Sequence, residues 1–370
     1  MTSNVAVEHE RAFAEVRRIS VAGLGGTELL RRVAERLGRA VPFDAYCAST
    51  LDPASGLITH GIAEGMDGDD DGIFFDRVYF EEDLHQARAM VRDGRPVQRL
   101  SESTGGRLDR SLRYRELLKP LGLAHELGAV FADGAAWGGM DLIRGTDAPD
   151  FTPRDAALVR RVAPHVGAGL KTAALRSRAD GLGDVPDAPG VLNLDPGGKV
   201  VSHTPAAERW LGELEDLHPA WRGSSPPIPV RMVAAALRRS LEPASDADRS
   251  LVPRVRVRGR SGRWVSLYAS LAEPAAGRLR ETVVVIEPSR PEEVAWLNVA
   301  SYGLSPREEE VVRLVARGRP TRGISADLFV SEHTVQRHLQ NAFEKVGVRS
   351  RGELVKRLFF ENLLPGMLGD

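Results

Sequence analysis

The chain has 370 residues, too many for one ordinary hydrophobic core, and 42% hydrophobic with 27% charged residues describes a globular protein rather than a fibrous or unfolded one. No apolar run approaches the roughly twenty residues needed to span a bilayer, and the stretch from Met1 to Arg18 lacks the basic opening and apolar centre of a secretory signal; a cytoplasmic protein with no membrane partner is expected. A formal net charge of −1 excludes a polycation that would bind any nucleic acid, and the one cysteine, Cys47, excludes internal disulfides and cysteine-rich zinc sites and reads as a buried, inert thiol.

In chain order, Phe13, Val16, Ile19, Leu29, Leu30, Val33 and Leu37 recur at helical spacing around Gly23-Leu24-Gly25-Gly26, which predicts two helices with a break. Short apolar runs at 45–51, 57–62, 126–132 and 139–144 are separated by Asp52-Pro53-Ala54-Ser55-Gly56 and Asp133-Gly134-Ala135, whose residues favour hairpin turns. Ala157, Leu158, Val162, Val166 and Leu170 restore helical spacing after Thr152-Pro153. A block of helix, strands, helices, strands and helix is an α+β domain. With the helix before Val41-Pro42-Phe43-Asp44 and the Asp150 to Asp155 helix start, it resembles a GAF domain, a sensory module, over about residues 12–175.

The Gly-, Asp- and Pro-rich segment 179–189 reads as a linker. Beyond it, Val191-Leu192-Asn193-Leu194, the turn Asp195-Pro196-Gly197-Gly198 and Lys199-Val200-Val201 predict a hairpin, followed by a short helix at 206–211. The stretch from Trp210 to Arg249 is irregular and proline-rich. Val255, Val257, Val265, Leu267, Ala269 and Leu271 then alternate with polar residues, and 282–286 supplies a last strand. Arg254, Arg256, Arg258, Arg260 and Arg263 read as a solvated strand face rather than a nucleic-acid strip. Hairpin, short helix and three antiparallel strands resemble a PAS domain.

Ser305-Pro306-Arg307-Glu308 combines a hydroxyl N-cap, proline at the first helical position and a carboxylate three residues after the cap. A helix over 306–316 is expected, with Val311, Val312, Leu314 and Val315 as its stripe and Gly318 closing it. Ile324, Leu328 and Phe329-Val330 mark a short second helix and its turn, and Ser331 caps a third. In the third, Val335, Leu339, Ala342, Phe343 and Val346 share one side, while His333, Gln336, Arg337 and Gln340 present donors and acceptors on the other. Ser350-Arg351-Gly352-Glu353 opens a fourth helix carrying Leu354, Val355, Leu358 and Phe359. Residues 304–360 hold eleven Arg or Lys against seven Asp or Glu, a local excess of +4.

These residues resemble the LuxR-type helix-turn-helix family, through Leu304-Ser305-Pro306-Arg307-Glu308, Ile324, Leu328, Val330-Ser331, Thr334-Val335, His338-Leu339, Lys345, Gly347-Val348 and the run from Ser350 to Val355. The resemblance implies a recognition helix whose Gln336, Arg337 and Gln340 read bases. It places Ser331, His333, Thr334, His338 and Lys345 on the phosphate backbone, and Leu354, Val355 and Leu358 in a dimer seam. Pro320-Thr321-Arg322-Gly323 departs from the family's usual Ser-Asn-Lys-Glu, and Gln336 replaces a common lysine.

Catalysis finds no support. Val21 to Gly26 lacks a complete G-x-G-x-x-G, Asp67 to Asp71 reads as a solvated acidic loop without calcium-ligand spacing, and His60, His85 and His125 show no metal pattern. Helices followed by hairpins disfavour a phosphoacceptor receiver. The expected fold is multidomain, with two α+β sensory domains (antiparallel sheets with helices) followed by an all-α four-helix helix-turn-helix domain. Its divisions are 1–178, a linker 179–189, 190–290, a linker 291–303, and 304–370. The expected function is a sequence-specific DNA-binding transcription regulator and non-enzyme, partnered by double-stranded DNA, a second copy of the chain and RNA polymerase. No cofactor is expected beyond an unknown small-molecule signal. The competing reading is an interaction scaffold whose C-terminal helices only dimerise.

Overall fold

The structure, a computed structural model, describes residues 2–66, 74–175, 188–214, 226–241, 253–272, 281–290, 293, 302 and 304–360. The acidic loop 67–71, most of both linkers and the tail after 360 lie outside the described residues. The chain divides into two compact units, Met1–Ala132 with Ala136–Pro288, and Asp133–Ala135 with Ser289–Asp370.

The first unit opens with α1 (Thr2–Ser20) and α2 (Gly26–Ala40). Gly23 takes a left-handed φ of 73°, and a Cβ on Gly26 would stand 2.9 Å from Thr50 Cγ2. The glycines thus serve a helix break and a close approach to the sheet. Five antiparallel strands follow: β1 (Ala45–Leu51), β2 (Ile58–Glu64), β3 (Val97–Arg99), β4 (Leu123–Asp133) and β5 (Ala135–Gly145), in the order β2-β1-β5-β4-β3. Between β2 and β3, a π-helical stretch Phe74–Asp83 runs into α3 (Leu84–Arg92), and a one-turn α4 (Leu100–Ser103) follows β3. α5 (Pro153–Leu175) closes the module. One face of the sheet, with Tyr46, Ala48, Leu127, Phe131 and Met140, packs on Val16, Leu30, Val33, Leu37, Val162, Val166 and Leu170 of α1, α2 and α5.

The second sheet comprises β6 (Gly190–Leu194), β7 (Val200–His203), β8 (Arg254–Arg258), β9 (Trp264–Ala272) and β10 (Glu281–Pro288), ordered β7-β6-β10-β9-β8. Numbered within each sheet, that is the same order as the first. Thr204 caps α6 (Pro205–Glu213), accepting from the Ala207 N–H, and Trp210 is fully buried. The stretch read as irregular contains α7 (Ile228–Leu241), whose Ile228, Val230, Met232, Val233, Ala236 and Leu237 are buried. Because it is apolar nearly all round, it lacks the amphipathic period by which a half-exposed helix is recognised.

Part of the arginine strip differs from expectation: Arg260 and Arg263 are exposed, but Arg254, Arg256 and Arg258 are half-buried. Asp52, 1% exposed, accepts from Ala54 N and Ser55 Oγ within its own turn and from the Arg256 backbone N–H at 3.0 Å, with Arg256 Nη1 3.6 Å away. Arg258 donates to the Ala173 carbonyl. Alternation showed that one face of β8 is buried, but the other face is half-buried against the first module instead of solvated. Leu57, Ile58, Phe75, Tyr79, Phe80 and Leu84 join the second sheet's apolar residues in one continuous core.

The second unit holds α8 (Pro306–Ala316), α9 (Thr321–Leu328), α10 (Glu332–Val346), α11 (Arg351–Val355) and a π-helical turn Lys356–Phe360. Val311, Val312, Val315, Ile324, Val335, Leu339, Ala342, Val346, Leu354 and Leu358 form its core.

Candidate nucleic-acid interface and an internal cavity

The inner face of the first sheet carries a polar row. Cys47 of β1 stands opposite Asp141 of β5 and Ala63 of β2, while Gly128 of β4 stands opposite Gln98 of β3. Arg113, 3% exposed, reaches into this row. Its Nε donates to Glu126 Oε2 at 2.5 Å, Nη1 to Asp83 Oδ2 at 2.8 Å, and Nη2 to Asp141 Oδ2 at 3.1 Å and Cys47 Sγ at 3.3 Å. Burial opposes the guanidinium charge, but the three carboxylates outweigh it and hold Arg113 well above its ordinary pKa. Burial likewise pushes Asp83 up to about 8 and Glu126 up to about 7, against the pull of Arg113. Burial and the Asp141 charge also raise the Cys47 thiol, so the cationic neighbour that the sequence did not reveal leaves it a weak nucleophile. A cavity of about 520 Å³ is lined by this row, by the Phe74 to Met90 segment, and by second-module residues including Ile228, Arg231 and Arg238. Sequence reasoning missed the cluster; its local signal was Glu126 and Asp141 interrupting the largely apolar centres of two strands.

In the second unit, Ser305 and Glu308 form a reciprocal capping box that starts α8. Glu308 is 4% exposed. Burial pushes its carboxyl up, but hydrogen bonds from Lys345 and the Ser305 backbone outweigh this and hold it below the ordinary value. α9 ends at Phe329, which is left-handed at φ 55° and 95% exposed. Val330 N–H donates to the Ser325 carbonyl, and the Ser325 hydroxyl to the Val330 carbonyl at 2.6 Å, which fixes the turn into α10. Ser331 caps α10 through the Thr334 N–H.

α10 buries Val335, Leu339, Ala342 and Val346 and exposes His333, Gln336, Arg337 and Gln340. No hydrogen bond or ion pair ties those four side chains to the described residues. A 15-residue helix is about 22 Å long, and its free stripe of amide and guanidinium groups matches the donors and acceptors of base edges. Ser331 and Thr334 hydrogen-bond each other at the helix start, and His338 is half-buried with its Nδ1 enclosed. Lys345 lies apart from the stripe, its Nζ 2.7 Å from Glu308 Oε2. Leu354 and Leu358, expected in a dimer seam, are fully buried in the four-helix core, and Val355 packs against it. The outward residues of this last helix are Gly352, Glu353, Lys356 and Arg357.

Residues 302–358 match the family described as bacterial regulatory proteins, luxR family. Spore germination protein GerE of Bacillus subtilis is 42% identical over 55 residues, 15% of this chain and 74% of that protein. A putative HTH-type transcriptional regulator of Mycobacterium bovis is 48% identical over 52 residues, 14% of this chain but only 6% of its own length. A solved Vibrio cholerae VqmA dimer aligns over 49% of this chain and 85% of its own at 15% identity, with a TM-score of 0.20, too low to infer a shared arrangement. Residues 302–358 are thus a LuxR-type DNA-binding helix-turn-helix, and the chain belongs to the luxR family of bacterial regulatory proteins.

Proposed function

We propose that this protein is a cytoplasmic transcription regulator that reads duplex DNA with Gln336, Arg337 and Gln340, under control of a signal received by its N-terminal unit. The observation that carries the reading is the exposed, unpaired stripe on α10, held by a helix whose other side is locked in the core. Ser331, His333, Thr334 and His338, around the first turns of the same helix, are the backbone-contacting set. Lys345 is assigned primarily to holding α8 against α10. Two copies would read half-sites about one helical turn apart.

The N-terminal unit is read as GAF-like and PAS-like modules. Its support is the shared strand order of two five-stranded antiparallel sheets and a cavity at the first sheet's inner face. The test uses the full chain, a selected DNA site and random duplexes at one fixed salt concentration. Arg337→Ala should lose about 1–3 kcal/mol on the selected site and little on random DNA. Equal losses on both would remove Arg337 from base reading. A scaffold would retain its function when Gln336, Arg337 and Gln340 are replaced together, whereas a DNA reader would lose selectivity.

A further inference from the structure

We infer that the cavity on the inner face of the first sheet is a binding site for a small organic cation, its ammonium or amidinium held by Glu126 and Asp141 and its apolar body lying against Phe75, Tyr79 and Met90. The assignment rests on reading the N-terminal unit as the sensory part and names the class of its signal. Space comes first. About 520 Å³ falls within the range of small-molecule sites, and its lining includes Gly61, Gly128, Gly138 and Gly139. A Cβ on Gly128 would stand 3.0 Å from Asp141 Oδ1 and 4.0 Å from Glu126 Oε1. Glycine therefore leaves both oxygens uncovered.

Charge comes second. Three carboxylates meet one guanidinium, and each gives it a single oxygen. Glu126 Oε1, Asp83 Oδ1 and Asp141 Oδ1 accept no hydrogen bond from the described residues, although Glu126 is 8% exposed. The adjacent Glu82 does not share this surplus, because Ser111 Oγ and the Leu112 and Arg113 N–H groups satisfy it. Uncompensated carboxylates beside an apolar wall suit a group that brings both positive charge and N–H donors. The three carboxylates and Cys47 converge on Arg113 rather than on a common point, and among the described residues no cluster of His, Cys, Asp or Glu is arranged to hold a metal. Lys199, Arg231 and Arg238 line the second-module side, with Arg231 4.4 Å from the Phe75 ring centre. That end does not compete for a cation, so the charged head is directed to the sheet.

Three probes with one apolar body separate the chemistries: phenethylamine, 2-phenylethanol and 3-phenylpropionate, each titrated calorimetrically into the full-length protein at millimolar concentration. The amine should bind, and the alcohol and acid should bind at least about tenfold more weakly. Glu126→Gln, which keeps side-chain shape, and Asp141→Asn should each weaken the amine by about tenfold and leave the alcohol unchanged. No amine binding, equal binding of the alcohol or acid, or indifference to both substitutions overturns the assignment. DNA affinity measured with and without phenethylamine keeps the two readings apart. Amine binding without a change in DNA affinity leaves the site standing and removes its sensory role, whereas no amine binding removes the site and leaves control by another signal intact.

Discussion

Two polar faces of this molecule invite comparison, the outer stripe of α10 and the row across the first sheet. On α10, Gln336, Arg337 and Gln340 are exposed and bond to none of the described residues. On the sheet, buried Glu126 and the half-buried Asp83 and Asp141 crowd around one buried guanidinium. The α10 stripe costs the fold almost nothing, because water satisfies it until a duplex replaces the water. The sheet row is held against a desolvation cost that Arg113 offsets, with the Cys47 thiol also donating to Asp141. Substitutions in the two places should therefore separate cleanly, with stability lost at the sheet and recognition lost at the helix.

The largest expected effect is Arg113→Leu. It leaves three carboxylates without a counter-charge and should cost about 3–5 kcal/mol near pH 8, read as a fall in the denaturation midpoint of the N-terminal unit. The loss should shrink near pH 5, where Asp83 and Glu126 are protonated. A pH-independent loss would show that Arg113 matters through packing alone.

The wild-type pH profile carries the same logic. Folding raises Asp83 from 3.8 to about 8 and Glu126 from 4.5 to about 7, so between those limits the folded chain binds more protons than the unfolded one. Stability is then fully present below about pH 4 and is lost as pH rises through 7 to 8. Thermal unfolding from pH 5 to 9 should show this decline, and Glu126→Gln should flatten it. An unchanged slope in that variant would mean that Glu126 is already ionised at neutral pH.

The same contrast explains what the sequence disclosed. The C-terminal helices were legible because their signals are local: the Ser305–Glu308 box, Ser331, Gly347 and Ser350 each act within four residues. Strands of the second sheet were legible through alternation. Its buried α7 was not, since Val230 to Leu237 lack a polar face. Arg256 was misread because alternation separates two faces without naming what covers the second. The Arg113 cluster joins positions from 47 to 141 on five segments, and no window of sequence holds it. Leu354 and Leu358 were read as apolar and are buried within the chain, and a helical stripe does not say whether its partner is another helix of the same chain or a second copy.

Lys345 sits between the two kinds of face and gives a smaller effect. Its contact with buried Glu308 predicts that Lys345→Ala destabilises the helix-turn-helix by about 1–3 kcal/mol, with DNA affinity falling only as far as the folded fraction falls. Lost affinity at unchanged stability would instead return Lys345 to the phosphate contacts.

The smallest expected effect has the opposite sign. Gly323 occupies the third position of α9, where its φ is not left-handed and flexibility serves no turn. A Cβ there would meet Pro320 Cδ at 3.4 Å and Arg319 Nε at 3.9 Å, ordinary contact distances. Gly323→Ala should therefore stabilise α9 by up to about 1 kcal/mol, by removing unfolded-state freedom. Amide hydrogen exchange across 321–328 in the full chain reads this locally, and α9 should exchange more slowly while base preference stays the same. Slower exchange with altered base preference would mean that α9 adjusts when α10 enters the groove, and that the glycine belongs to recognition rather than to the fold.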